Sequence, residues 1–289
     1  MRATLVKAVL AVGVGASLCA ASADAPATAG AAARPAAEAG RAAEAGRAAE
    51  CPVVDVLAVF TPKAAKRAGG EHRVPSSAQE IATRMNRSLA AGGLCGVIRV
   101  IHPYTATDYE GPEEFRAAYA TLKDHASAGL GRQVHEQRAR YGADLVTLVV
   151  DRQERGGGTA DYTSALDGST DEYAYAVVEV DGIGLDSASH EIGHNLGLAH
   201  DRTTLAGDAE GSMSVSRNRP YNTGWITEDG NHYTIMAYRS ACGDHCRRIS
   251  RFSSATETWK GHRLGDAEND SVRVLRETMP IVAGYRDKR

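Results

Sequence analysis

No stretch of this 289-residue chain stays apolar for the roughly 20 residues that a membrane-spanning helix requires. Neither sign of charge dominates: 33 basic and 36 acidic residues leave a net charge of −3. The basic residues are scattered rather than striped, which argues against a nucleic-acid partner and for small-molecule or peptide partners. Cysteine is scarce, five in all. The acidic loops around Asp161, Asp167 and Asp171 match no EF-hand pattern, so calcium is not predicted. Large apolar side chains are absent from residues 24–50, which are almost wholly Ala, Gly, Pro, Arg and Glu, with AAEAGR at 36–41 repeated at 42–47. Such a segment has nothing with which to build a core and reads as a low-complexity linker or short pro-segment.

What is present points to export and one folded body. Arg2 and Lys7 precede a short apolar run that ends in Ala21-Ser22-Ala23, the pattern of a signal peptide over residues 1–23. Leu18 stands where a lipidated Cys19 would need a small residue, so a lipoprotein is not the expectation. The destination is extracellular or periplasmic, and there the remaining Cys51, Cys95, Cys242 and Cys246 form an even set suited to two disulfides. Four cysteines allow three connectivities. The pairing Cys51–Cys95 with Cys242–Cys246 is favoured, because only Gly-Asp-His separates the last two. A second metal site at Cys242, His245 and Cys246, and a latency switch at Cys51, are the alternatives.

With 43% apolar residues, the chain from 51 to 289 has material for a sizeable core. Val53 to Phe60 is β-branched and apolar and stops at Thr61-Pro62, as a buried strand does. Ile81, Met85 and Leu89 recur at i, i+4, i+8 on a helix capped by Ser76 or Ser77 and running to about Ala90. Further strands are expected at Val97–His102, Leu145–Asp151 and Ala174–Val180, with helices at Pro112–Asp124 and Gly131–Tyr141 and a short edge element after Gly156-Gly157-Gly158. Strands alternating with helices give an α/β (α+β) layer.

Residues 190 to 201 read HEIGHNLGLAHD. On a helix His190 and His194 stand one turn apart on one face, so both imidazoles reach a single ion, and Glu191 projects beside them as a general base. Gly197 permits the left-handed turn that ends the helix and lets His200 approach the same ion. For a chain with 10 His and 30 Gly, the full spacing arises by chance roughly once in ten thousand such sequences. Satisfied core histidines are the weaker explanation here, although they are the better one for the histidines at 72, 102, 125, 135, 232, 245 and 262. Three neutral imidazoles leave a 2+ ion largely uncompensated, the condition for activating water toward a peptide carbonyl.

The string H-E-x-x-H-x-x-G-x-x-H resembles the metzincin signature, and Thr234-Ile235-Met236-Ala237-Tyr238 is similar to its Met-turn. With VDVLAVFTPKAA, RFSS and the final VAGYR, residues 51 to 286 look most like bacterial reprolysin-like zinc peptidases of the peptidyl-Asp metalloendopeptidase kind. The resemblance implies a metzincin-type zincin: a twisted mixed sheet with an antiparallel edge strand, an active-site helix, a Met-turn and a C-terminal helix. It implies one catalytic Zn2+ on His190, His194 and His200, Met236 as the floor beneath it, and Asp201 bracing the Met-turn backbone as in reprolysins. Tyr238 matches instead the placement in astacins and serralysins, where it helps at the metal or the oxyanion. Arg239, directly after the Met-turn, stands where a primed-side wall would need a cation for Asp.

The activity implied is that of a secreted zinc endopeptidase, a monomer acting on protein or peptide substrates. Two rivals share the motif: a zinc-binding or adhesion protein without turnover, and a zinc hydrolase with a non-peptide substrate. Retention of Glu191 speaks against the first, since a structural site wants a fourth protein ligand and no base. A thermolysin-type enzyme takes a downstream Glu as third ligand, a role His200 already fills.

Overall fold

The apolar runs become the middle of a sheet because only a strand covered on both faces can bury side chains of both parities. A computed structural model describes residues 50–153, 156–208 and 213–288. The leader over 1–23, and the low-complexity segment over 24–50 apart from Glu50, lie outside the described residues. Glu50 onward forms one compact unit.

Five strands build the main sheet: β1 (Val53–Phe60), β2 (Val97–Thr105), β3 (Leu145–Val150), β4 (Gly158–Ala160) and β5 (Tyr175–Glu179). Their order is β2-β1-β3-β5-β4. The first four in that order are parallel, with Val56 beside Leu145 and Val146 beside Tyr175. Strand β4 closes one edge antiparallel to β5, with Gly158 beside Val178. This is the mixed sheet with an antiparallel edge that the resemblance implied. Strand β2 runs three residues past the expected end at His102, because a register shift after Leu57 absorbs His102 at φ 44° and resumes pairing at Tyr104.

Helices fill the crossovers: α1 (Pro62–Arg67), α2 (Val74–Ala91), α3 (Phe115–Lys123) and α4 (Gly131–Tyr141). Helix α2 buries Ile81, Met85 and Leu89 as the spacing predicts. It starts ahead of Ser76 and has no side-chain cap, since Pro75 sits in its first turn and a 3-10 turn at Glu71–Arg73 leads into it. Helix α3 likewise begins at Phe115 rather than Pro112. The Glu114 carboxylate accepts from the backbone N–H of Arg116 (3.0 Å) and Ala117 (3.1 Å), and the Tyr109 hydroxyl holds the Pro112 carbonyl in the preceding turn.

After β5 come α5 (Ser187–Asn195), α6 (Arg202–Gly207), a parallel ribbon of β6 (His232–Tyr233) and β7 (Arg247–Arg248), and the C-terminal helix α7 (Ser271–Val282). Helix α7 buries Val274, Leu275 and Met279, and its Thr278 hydroxyl donates to the Leu196 carbonyl at 2.8 Å, just past the end of α5. The chain end is fastened under the sheet by Arg286 to Asp171 (2.6 Å) and by Lys288 to the buried Asp55 and Asp144. Both expected disulfides form, Cys51–Cys95 joining the starts of β1 and β2, and Cys242–Cys246 closing the loop before β7. Among the described residues no helix is long and apolar enough to cross a membrane.

Candidate metal centre

Helix α5 is buried along its whole length and lies against β5 and the edge strand β4. Asp186 sets its entry. Its backbone turns at φ 62°, and its carboxylate accepts from Arg84 Nη1 (2.9 Å) on α2 and from the Ser250 hydroxyl (2.5 Å). The exit is at Gly197, whose φ of 87° reverses the chain where a side chain would be strained. Leu198 N–H then donates back to the Gly193 carbonyl at 2.9 Å, Ala199 docks on Asn222 at 2.8 Å, and His200 comes round to face the helix. Asn195 locks the helix sideways, its amide donating to the carbonyls of Asp161, Tyr173 and Tyr175.

The three imidazoles meet edge to edge. His190 Nε2 lies 3.1 Å from His194 Nε2, which lies 3.1 Å from His200 Nε2. His190 Nδ1 faces the Ile235 carbonyl at 2.7 Å and His194 Nδ1 the Leu198 carbonyl at 2.8 Å. A carbonyl only accepts, so both Nδ1 atoms carry the proton and both Nε2 atoms present lone pairs to one another. Such a convergence is repulsive unless a cation sits between them. Around a tetrahedral zinc ion with Zn–N bonds of ~2.0–2.1 Å, nitrogens stand roughly 3.3 Å apart, close to the spacing seen. All three ligand atoms lie within 4.8 Å of one another.

Electrostatics agree with the donor set. Burial holds the His190 imidazole well below its ordinary range and takes His194 down to about 3 and His200 to about 4, with the neighbouring rings adding to the effect at His190 and His194. All three are therefore neutral near pH 7, the form that binds metal.

Glu191 lies on the cleft side of the same helix, 5% exposed. Burial pushes its carboxyl up to about 8, opposed by the charge of Arg248; a dication at the histidines would favour the ionised form. The edge strand comes so close that a Cβ on Gly158 would stand 2.6 Å from Glu191 Cγ. The cleft between them holds about 290 Å³ and is lined by Phe115, Gly157, Gly158, His190, Glu191 and Arg248, among others.

The Met-turn lies under this helix. Met236 is fully buried, its sulfur 2.6 Å from where a Cβ on Gly193 would be. Asp201 ties the turn to the third histidine: its carboxylate accepts from Tyr238 N–H (3.0 Å), Thr204 N–H (2.9 Å) and the Thr204 hydroxyl (2.7 Å). Asp201 is 3% exposed, so Asp201→Ala removes the acceptor from three part-buried donors and should cost about 1–2 kcal/mol of stability. Urea unfolding measures this, and a loss below about 0.5 kcal/mol would show that water replaces the carboxylate. The Tyr238 ring stacks 5.5 Å from His190 and lies tilted 4.3 Å from His200, and burial raises its phenol to about 12, so it remains a hydrogen-bond donor.

Arg239 is not among the residues lining the cleft beside Glu191. It faces an adjoining cavity, its Nη2 donating to the Asp244 carbonyl (2.9 Å) and carboxylate (3.0 Å). Two arginines line the cleft together with Glu191: Arg152, whose guanidinium lies over the Phe115 ring at 4.2 Å, and Arg248, held by Nη1 to the Leu185 carbonyl at 2.7 Å. Sequence reasoning missed Arg248, Gly158 and Asp186. Arg248 sits in a run of arginines, where nothing in the order of residues distinguishes it until β7 pairs with β6. The carboxylates of Asp161, Asp167 and Asp171 are taken up by Lys123, Ser169 and Arg286.

Comparison with known proteins falls on the same stretch. The family model Reprolysin_5, metallo-peptidase family M12, matches residues 52–253. A peptidyl-Asp metalloendopeptidase of Pseudomonas aeruginosa is 29% identical over 261 residues, which is 81% of this chain and 40% of that protein. The chain thus spans well under half the length of this curated relative. A solved structure described as a chaperone-substrate complex overlays on 82% of this chain and 35% of its own with a TM-score of 0.60 at 19% identity, a likeness of fold alone. Since the sheet, the histidine helix and the Met-turn all lie inside the matched residues, the chain belongs to metallo-peptidase family M12, with a metzincin fold.

Proposed function

We propose that this protein is an exported zinc-dependent endopeptidase in which His190, His194 and His200 hold the ion and Glu191 is the general base. The observation that carries the reading is the convergence of imidazole lone pairs beside a buried carboxylate and an open sheet edge. A zinc ion here supplies Lewis acidity toward water and the scissile carbonyl. The residues do the rest. Glu191 accepts a proton from the attacking water and returns it to the departing amine. Strand β4 has β5 on one side, and its other edge takes an extended substrate by backbone hydrogen bonds over Gly157 to Tyr162. Tyr238 donates its phenol proton toward the oxygen on which negative charge develops. Export is supported by the two disulfides together with the leader pattern.

The relative's name specifies peptidyl-Asp bonds, and the same preference is proposed here. Of the two arginines in the catalytic cleft, Arg152 lies over the Phe115 ring, whereas the charge of Arg248 acts on Glu191, so Arg248 is the one placed to pair with a carboxylate on the first primed residue. Sequencing the peptides released from a denatured proteome, with and without chelator, tests both parts. Chelator-sensitive cleavage before Asp is the expected result, and absence of cleavage by the zinc-loaded protein would sink the reading. Arg248→Gln should lower kcat/KM for Asp-containing peptides by about 10–100-fold, the worth of one charge-assisted pair, and flatten the preference. An unchanged cleavage profile would return the role to Arg239.

A further inference from the structure

The catalytic cleft continues beyond Arg248. A second cavity of about 410 Å³ shares Gly156, Gly157, Ser187 and Arg248 with it, so the two are adjoining parts of one groove. Its other walls are Leu185, Tyr233, Arg239 and Arg247. Among the described residues three arginines line it and no carboxylate does. Arg247 makes no ion pair among the described residues, and Arg239 is met only by Asp244, which is fully exposed and neutralises it weakly. Arg248 leans over the Tyr233 ring at 5.5 Å, and among the described residues its buried Nε has no hydrogen-bond partner. Three guanidinium groups on one concave wall repel one another and concentrate a positive field in the space between them. A buried N–H without an acceptor adds a second demand for an anion.

From this geometry we infer a second anionic subsite, which takes an acidic side chain of the substrate downstream of the first primed residue. The inference rests on the endopeptidase reading for its polarity. Along an extended strand successive side chains alternate between faces, so residues two apart share one face and stand about 6.6 Å from each other. The side chain that follows the first primed residue into the same groove is therefore that of the third primed residue. The preferred substrate has the form Asp-x-Asp or Asp-x-Glu on the primed side, with Arg247 and Arg239 receiving the second carboxylate and Arg248 standing between the two subsites.

Three peptides that differ only after the cleaved bond test this: Asp-Ala-Ala, Asp-Asp-Ala and Asp-Ala-Asp. The zinc-loaded protein should show a kcat/KM about tenfold higher for Asp-Ala-Asp than for Asp-Ala-Ala, a ratio that shrinks as salt rises. In Arg247→Gln that ratio should fall toward one. A gain confined to Asp-Asp-Ala, no gain at all, or a ratio untouched in Arg247→Gln would each overturn the subsite. Equilibrium binding of the free Asp-Ala-Asp and Asp-Ala-Ala amides to the Glu191→Gln protein supplies a second readout, with about tenfold tighter binding expected for the first. If none of the three peptides is cut, the endopeptidase reading fails, and binding alone then decides the subsite: equal affinities would remove it.

Discussion

Glu191→Gln is expected to keep the metal and the fold while kcat falls by about 10²–10⁴-fold, the usual worth of a positioned general base. The amide fills the same space beneath Gly158, where room is so short that a Cβ would stand 2.6 Å from Glu191 Cγ. It accepts no proton at neutral pH. Peptidase rates measured beside metal content by mass spectrometry separate the two effects. A variant that binds metal and still cleaves at a near wild-type rate would remove Glu191 from the mechanism, whereas one that loses metal would show that the carboxylate also orders the ligands.

Stripping the metal is the second large effect. Chelation should reduce peptidase activity to background, zinc should restore it, and His194→Ala should neither hold a stoichiometric ion nor recover. The reason lies in the tautomers: with protons fixed on Nδ1 by the carbonyls of Ile235 and Leu198, facing lone pairs repel in the metal-free protein. The loaded form should therefore melt higher, by the equivalent of about 2.7 kcal/mol at a zinc concentration 100 times Kd. Equal melting temperatures with and without zinc, at full occupancy, would contradict this.

Legibility in the sequence followed the distance over which each feature is specified. Helix α5 and its turn are encoded within HEIGHNLGLAHD, because i,i+4 spacing and a left-handed glycine act over single turns. The strand cores were equally plain, since both-face burial leaves an unbroken apolar run. Boundaries were harder. Ser76 looked like a cap, but Pro75 had already started α2. Pro112 looked like a helix start, but Glu114 holds the N–H groups that need an acceptor. At His102 only the pairing of β2 with β1 reveals that the strand continues.

The arginines around the cleft show the same limit in a sharper form. Arg239 stands next to the Met-turn along the chain, yet it turns toward Asp244, while Arg248, nine positions on, lines the cleft with Glu191. Whether an arginine reaches the cleft depends on the β6–β7 pairing, and on the Leu185 carbonyl and the Asp186–Ser250 contact, which join segments more than sixty positions apart. Residue order thus sufficed to bring the three histidines together, because one helix and one turn place them. Which arginines line the cleft was settled by folding, because charges from distant segments share a wall only after the sheet and the Met-turn have packed around the helix.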